Sequence, residues 1–417
     1  MHEVNVGRKE LADYRSIVPR ELMTEIDELA ARLQGRQILH VNATAFGGGV
    51  AEILYTLVPL TSDAGLEAHW QILTAPPEFF NVTKSFHNGL QGHSVEFPPA
   101  ARELYESVCR LNAAELTRPY DFVVIHDPQP LAVRDFVNRS QDRTTWWIWR
   151  CHIDTSTPDR DLYDYLLPSI NRYDAAVYTM ADYVPSGLNI PVREIAPTID
   201  PLAPKNMKLS AEDARYIVRQ FGIDVDRRLL LQVSRFDPWK DPLGVVDVYR
   251  TVKAKHDDVQ LALVGSMASD DPEGWDYLER VIEYVGGDPD VFVLSNLDNV
   301  GSVEINALQS HADVIIQKST REGFGLTVTE ALWKARPTIG GDVGGIPLQI
   351  EDGVTGYLVK SAAECADRCL QILTDPAGHQ EMALRGKEHV RREFLTPRLL
   401  RDDLRLFADL EAGRIVS

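Results

Sequence analysis

Ala312-Asp313-Val314-Ile315-Ile316, followed closely by Thr320-Arg321-Glu322-Gly323-Phe324-Gly325-Leu326-Thr327-Val328-Thr329-Glu330, is the stretch on which the fold turns. The apolar run reads as a buried parallel strand, and Thr327 to Lys334 has helical composition. Between them lies a glycine-bearing turn with a carboxylate on each side. Strand, glycine turn and helix N-terminus in that order make an anion site, because free N–H groups and the positive end of the helix dipole point at one spot.

Working outward, the same rhythm recurs. Strand patterns stand at 37–42, 69–73, 122–127, 145–152 and 175–179, then at 229–234, 260–265, 291–295, 314–317 and 337–340. Helical patterns fill most of the gaps, as at 19–33, 50–64, 243–255 and 361–374. Alternation of this kind argues an α/β protein of two doubly wound, Rossmann-like domains with mostly parallel sheets. The proline-bearing stretch 195–205 breaks the rhythm and places the boundary near residue 200, giving domains 1–200 and 201–394. A last helix, about 395–417, could pack on either domain. Ligands of open α/β sheets bind beyond the carboxyl ends of the strands, so the expected site is a deep cleft faced by both domains.

Bulk properties narrow the partners. The chain has 417 residues, 44% apolar and 25% charged, and no apolar run long enough to span a bilayer. Its start, Met1-His2-Glu3-Val4-Asn5, has no basic segment followed by an apolar one, which argues against secretion. A formal charge of −19 argues against nucleic acid or an anionic membrane as partner, and obliges any anionic substrate to find a locally positive pocket. Cys109, Cys151, Cys365 and Cys369 are too sparse for a zinc set and read as buried free thiols, with a cytoplasmic location as the default.

Three further segments carry chemistry. Gly47-Gly48-Gly49 follows a strand and opens a helix, a place for close backbone approach to a ligand, but the spacing is not the dinucleotide fingerprint and a plain flexible turn is an equal reading. Arg235 and Lys240, at a strand end before a helix, can converge on a diphosphate; alternatively they are solvated, with Asp237 and Asp241 as counter-ions. Gly340-Gly341-Asp342-Val343-Gly344-Gly345-Ile346-Pro347 reads as loop packing near the same site, or a ligand contact. Glu322 and Glu330 would repel a phosphate unless each grips hydroxyls, and a nucleotide sugar carries hydroxyls on both sides of its phosphates. Glu330 lies ~7.5 Å further along the helix than Gly325, about the span from a diphosphate to a ribose diol.

In the first half, His126-Asp127-Pro128-Gln129-Pro130 and Arg150-Cys151-His152-Ile153-Asp154 are polar strand ends, open to catalysis, sugar binding or a structural role. A metal site of His40, His126 and His152 is disfavoured because nothing in their spacing groups them. Trp147 and Trp149 alternate onto one strand face as core. The pairs Asp159/Asp161, Asp224/Asp226 and Asp288/Asp290 read as surface turns rather than a metal clamp.

At these residues the chain resembles retaining glycosyltransferases of the GT-B type, family 4. Glu322-x7-Glu330 and the Arg235/Lys240 pair match that pattern over nearly all of the second domain. His40-Val-Asn-Ala-Thr-Ala-Phe-Gly-Gly-Gly-Val-Ala-Glu52, Ile125-His-Asp-Pro-Gln129 and Trp149-Arg-Cys-His-Ile-Asp154 are similar to the trehalose glycosyltransferring synthases. The resemblance implies synthesis of trehalose from UDP-, ADP- or GDP-glucose and free glucose. It assigns the diphosphate to Arg235 and Lys240 with the backbone of Gly323, Phe324, Gly325, Leu326 and Thr327, the donor glucose to Glu322, and the ribose to Glu330. Gly48 and Gly49 would close over the diphosphate and acceptor, His152 would lie near the donor sugar, and Asp127, with His126 and Asp154, near the acceptor. It implies no metal in the site and no tightly bound cofactor, magnesium acting through the free nucleotide, and a homodimer. Retaining trehalose phosphorylases, which are usually longer at the N-terminus, and a non-catalytic sugar-nucleotide module are the alternatives.

Overall fold

The computed structural model describes residues 1–46, 48–137, 144–267 and 272–414. Two compact units divide the chain: residues 1–198 with 396–417 form the first, and residues 199–395 the second.

The first unit is built on a seven-stranded sheet. Its strands are β1 (His2–Glu3), β2 (Gln37–Asn42), β3 (Glu67–Ile72), β4 (Phe122–His126), β5 (Trp146–Arg150), β6 (Ala175–Tyr178) and β7 (Val192–Glu194), in the order β1-β3-β2-β4-β5-β6-β7. Only β1 runs antiparallel to its neighbour. The sheet of the second unit has six strands: β8 (Arg228–Val233), β9 (Val259–Gly265), β10 (Val291–Ser295), β11 (Val314–Gln317), β12 (Thr338–Gly341) and β13 (Tyr357–Val359), in the order β10-β9-β8-β11-β12-β13, all parallel. β1, β7 and β13 were not expected from the sequence; at two or three residues each they are too short to show a period.

Both faces of the second sheet are buried, which explains its unbroken apolar strands. Leu230, Leu261, Leu263, Val314 and Ile316 enter one core, while Leu229, Leu231, Val233, Ala262, Val264 and Ile315 enter the other. Alternation is as clear in the first unit, where Leu39, Val41, Val123, Ile125, Trp147 and Trp149 share one aromatic-rich core. The odd positions of β2, β4 and β5 therefore face that core, and the even positions face the opposite side.

That opposite side is covered partly by the helix Thr396–Glu411, which belongs to the first unit and packs on the helices Arg20–Arg32 and Gly49–Asp63. Phe407 stacks on Phe122 with ring centroids 4.5 Å apart, and Asp403 pairs with the buried Arg150 at 3.2 Å. Arg398, also buried, donates to the carbonyl oxygen of Ala196 at 2.7 Å. All four cysteines are buried free thiols. Asp159 corrects the surface-turn expectation: its side chain accepts from the Leu162 amide and caps the helix Arg160–Ile170. Among the described residues, no helix is long and apolar enough to cross a membrane.

Removing the Phe407 ring should cost about 3–5 kcal/mol by cavity formation in a closed core. Phe407→Ala is expected to lower the urea midpoint of the first unit's transition, and an unchanged midpoint would mean the helix is not anchored there.

Candidate functional site

In the second unit, β11 ends at Gln317 and the chain enters the turn that leads to the helix Leu326–Trp333. Gly325 is the residue before that helix and has φ +84°, where a Cβ would also lie 3.2 Å from the Cγ of Glu322. Gln349 holds the turn to its helix: its amide nitrogen donates to the Phe324 carbonyl, and its amide oxygen accepts from Thr329 Oγ1 at 2.6 Å. The 340–347 glycines take the packing role. At Gly345 a Cβ would meet the Gly323 carbonyl oxygen at 2.7 Å, so only hydrogen lets the two backbones approach.

A second loop, 234–241, is locked onto this turn. Lys240 Nζ donates to Glu322 Oε2 at 2.6 Å, and Ser319 Oγ donates to the same oxygen at 3.3 Å. The neighbouring Asp241 pairs with Lys318, which is buried. Between the two pairs the Thr320 amide donates to the Trp239 carbonyl at 2.7 Å, and the Arg321 guanidinium lies 5.6 Å from the Trp239 ring centroid. Asp241 also has φ +51° and caps the helix Pro242–Lys253 by accepting from the Gly244 amide at 3.1 Å.

Arg235 and Lys240 have separate partners: Arg235 is 64% exposed and lies 3.2 Å from Asp237, whereas Lys240 is mostly buried against Glu322. Asp237 is a counter-ion as read, but Asp241 serves Lys318 instead. Lys318 was missed; the signal available was a cation directly after a buried strand, beside the glycine turn.

Glu330 sits in the same short helix as the fifth residue, only 2% exposed, so it is no solvated helix-start acid. Its Oε1 lies 3.5 Å from Lys205 Nζ, and its Oε2 accepts from Gln309 Nε2 at 3.2 Å. Lys334 stands one turn on, donating to Asn206 Oδ1 at 3.1 Å. Burial brings its ammonium pKa down to about 8, against the pull of Glu330, and the nearby Lys205 and Lys387 push the same way as burial. In a chain of formal charge −19 this is a local excess of lysine. Lys205 carried no sequence signal, because it reaches Glu330 from a segment far away in the chain.

In the first unit, Gly48, with φ +97°, is the residue before the helix Gly49–Asp63; Gly47 lies outside the described residues. His40, His126 and His152, which spacing did not group, are brought into one line. His40 Nδ1 lies 3.0 Å from His126 Nε2, and His126 Nδ1 lies 3.0 Å from His152 Nε2. Parallel register is the cause. His40 on β2 pairs with Val124 on β4, two residues before His126, and His126 pairs with Arg150 on β5, two residues before His152. One strand over and two residues on is thus repeated twice. Each contact uses a different nitrogen of the central ring, so the three rings do not converge on one point, and among the described residues no His, Cys, Asp and Glu group is placed to hold a metal.

Asp127 ends β4 with φ +63°. Its amide donates to the Arg150 carbonyl at 2.9 Å, and its Oδ1 accepts from the His152 amide at 2.7 Å, so it splices the ends of β4 and β5. Burial pushes its carboxyl up to about 7, opposed by the His152 amide and Arg150. The histidines move the other way. Burial, then the Arg150 charge, brings His40 down to about 3 and His152 well below its ordinary value. His126 is lowered by burial, by both neighbouring rings and by Arg150. Asp154 is buried, and its Oδ1 accepts from the Ser156 amide and hydroxyl in a local turn.

Two parallel α/β units with polar groups at strand ends define the class. Residues 40–185 match the family "Trehalose synthase, N-terminal domain", and residues 213–389 match "Glycosyl transferases group 1". A trehalose-phosphate synthase structure from Burkholderia xenovorans superposes with a TM-score of 0.72 over 92% of this chain and 100% of that one, at 15% identity; the fold is the GT-B fold. The chain is 61% identical to the trehalose synthase of Rubrobacter xylanophilus over 98% of its length and 99% of that protein, and 46% identical to that of Pyrococcus horikoshii over 94% of each. A trehalose phosphorylase of Grifola frondosa is 27% identical over 93% of this chain and 59% of that enzyme. The chain belongs to the trehalose synthase family of glycosyltransferases, and is a hexosyltransferase of trehalose metabolism.

Two outcomes follow from the geometry. Gly325→Ala should cost about 1–2 kcal/mol through the left-handed backbone alone, read as a loss in unfolding free energy. A histidine whose folded pKa lies below its unfolded value gives stability that is full above about pH 6.5 and lost as pH falls toward the folded value. Asp127, raised toward 7, has the opposite sign, losing stability as pH rises from about 3.8 to 7. His40→Asn should therefore flatten the fall in stability between pH 6.5 and 4, and Asp127→Asn should steepen it; equal slopes in denaturation series across that window would refute the assignment.

Proposed function

We propose that the enzyme transfers glucose, with retention of configuration, from a nucleoside diphosphate glucose to free glucose, forming trehalose. The observation that carries this is the Lys240–Glu322 pair at the N-terminus of the helix Leu326–Trp333, with the buried Glu330 further along it. A cation and free N–H groups suit the diphosphate, while carboxylates on either side suit hydroxyls.

In this reading Arg235 and Lys240 bind the diphosphate and stabilise the charge that grows as the bond from C1 to the phosphate oxygen breaks. The backbone from Gly323 to Thr327 assists. Glu322 accepts from glucose hydroxyls and Glu330 from the ribose, which is the reason for preferring a nucleotide to glucose 1-phosphate. A donor phosphate would draw Lys240 from Glu322 and free that carboxylate for the sugar. Gly48 and Gly49 supply the backbone that meets diphosphate and acceptor, His152 faces the donor sugar, and Asp127, together with His126 and Asp154, serves the acceptor.

The acceptor oxygen forms its bond to C1 on the face the phosphate leaves, and the acceptor's proton passes to the departing phosphate oxygen. No second carboxylate nucleophile is needed, unlike the paired-carboxylate scheme of glycosidases. Magnesium would arrive bound to the nucleotide, with no protein site of its own. A cytoplasmic homodimer completes the reading, and light scattering tests the dimer.

The deciding assay supplies UDP-, ADP- and GDP-glucose in turn with glucose and looks for a non-reducing disaccharide. Trehalose from glucose 1-phosphate but from none of the nucleotides would overturn the proposal in favour of a phosphorylase. Arg235→Ala should lower kcat by about 10²–10³-fold if the guanidinium acts on developing charge. Glu330→Ala should raise the donor KM by about ten- to hundredfold, the worth of hydrogen bonds to a charged group, and an unchanged donor KM would remove its ribose role.

A further inference from the structure

His40 lies outside the chemistry above and His126 enters it only beside Asp127, yet both are buried, polar and joined to His152, the half-buried end of the row. Neutral imidazole has one N–H and one bare nitrogen. Each 3.0 Å nitrogen-to-nitrogen contact therefore needs an N–H from one ring and a lone pair from the next. With three neutral rings there are only two self-consistent arrangements. Either every ring points its N–H toward His152, leaving His152 Nδ1 protonated, or every ring points it toward His40, leaving His152 Nδ1 bare. A mixed arrangement sets two N–H groups or two lone pairs against each other in a buried place, at a cost comparable to an unsatisfied polar group.

We infer that His40 and His126 are positioning residues that fix the ring orientation and the tautomer of His152, so that it meets its ligand as a committed hydrogen-bond donor or acceptor. The inference rests on the reading that His152 faces the donor sugar. The surroundings favour neutral rings throughout. Arg150, from the neighbouring strand position, and the buried environment both oppose an imidazolium, while Asp127 is engaged with the His152 amide and Asp403 with Arg150. The repeated register offset gives both contacts the same length and the same 5.3 Å ring separation.

The test is ring-nitrogen NMR on full-length protein carrying 15N-labelled histidine, with steady-state kinetics beside it. Wild type should show His152 in a single tautomer. His40→Phe fills the space but removes the partner nitrogen, and should leave His152 a mixture of tautomers and lower kcat about ten- to hundredfold, with the donor KM moved less than about twofold. His40→Asn places an amide where Nδ1 stood and should restore both readouts. A tautomer mixture in wild type, or a single tautomer undisturbed by His40→Phe, would overturn the inference. Should His40→Phe fold poorly, acid titration of the wild type decides: the His40 and His126 tautomer signals must change in the same step that protonates His152, and independent titration sinks the idea. Failure of the function reading is distinguishable, since it appears as absent transfer from every nucleotide sugar while the ring-nitrogen signals still report one tautomer or a mixture.

Discussion

Parallel pairing is the constraint on which both units depend. It forces each strand's carboxyl end to the same edge, so polar residues that would be ruinous inside a sheet collect there in rows. Arg150, His126 and Asp127 in the first unit, and Gln317, Lys318 and the 234–241 loop in the second, all occupy such ends. Their partners come from adjacent strands, which is why Lys240 meets Glu322 and Asp241 meets Lys318 across 82 and 77 residues of chain. The cores below are apolar on both faces of the second sheet and need no contribution from these groups. Chemistry can vary at the edge without cost to the layers beneath.

The alternating architecture was legible in the sequence because buried parallel strands are short unbroken apolar runs and their crossover helices are periodic. Long elements such as Gln37–Asn42 and Val291–Ser295 were readable to the residue. Short edge strands were not, since β7 and β13 take their conformation from a neighbour rather than from local preference. β4 stops at His126 instead of 127 because Asp127 turns left-handed to reach the next strand, a tertiary demand with no local signature.

Of the candidate site, the glycine turn and the identities of Glu322, Glu330, Lys240 and Arg235 were visible, since composition at a strand end carries meaning on its own. What those side chains hold was not. Pairing of Glu330 with Lys205 and Gln309 depends on three separate segments, and Lys318 gains significance only once two loops are brought together. The histidine row shows the limit most clearly: linear spacing separates the three residues by 86 and 26 positions, whereas register makes them neighbours.

The Lys240–Glu322 pair has a consequence for how an anion enters. On the proposed reading, the Lys240 ammonium is already paired with Glu322, so donor binding would swap one partner of the ammonium for another instead of cancelling a standing positive field. Long-range attraction then has little to act on, and the approach of substrate is governed by close-range fit. Ionic strength, which screens exposed charges beyond about 8–10 Å, would touch the exposed Arg235 far more than the enclosed Lys240. If both cations bind the donor as proposed, the exposed Arg235 would respond to salt, while the enclosed Lys240 would accept only an anion able to displace a carboxylate.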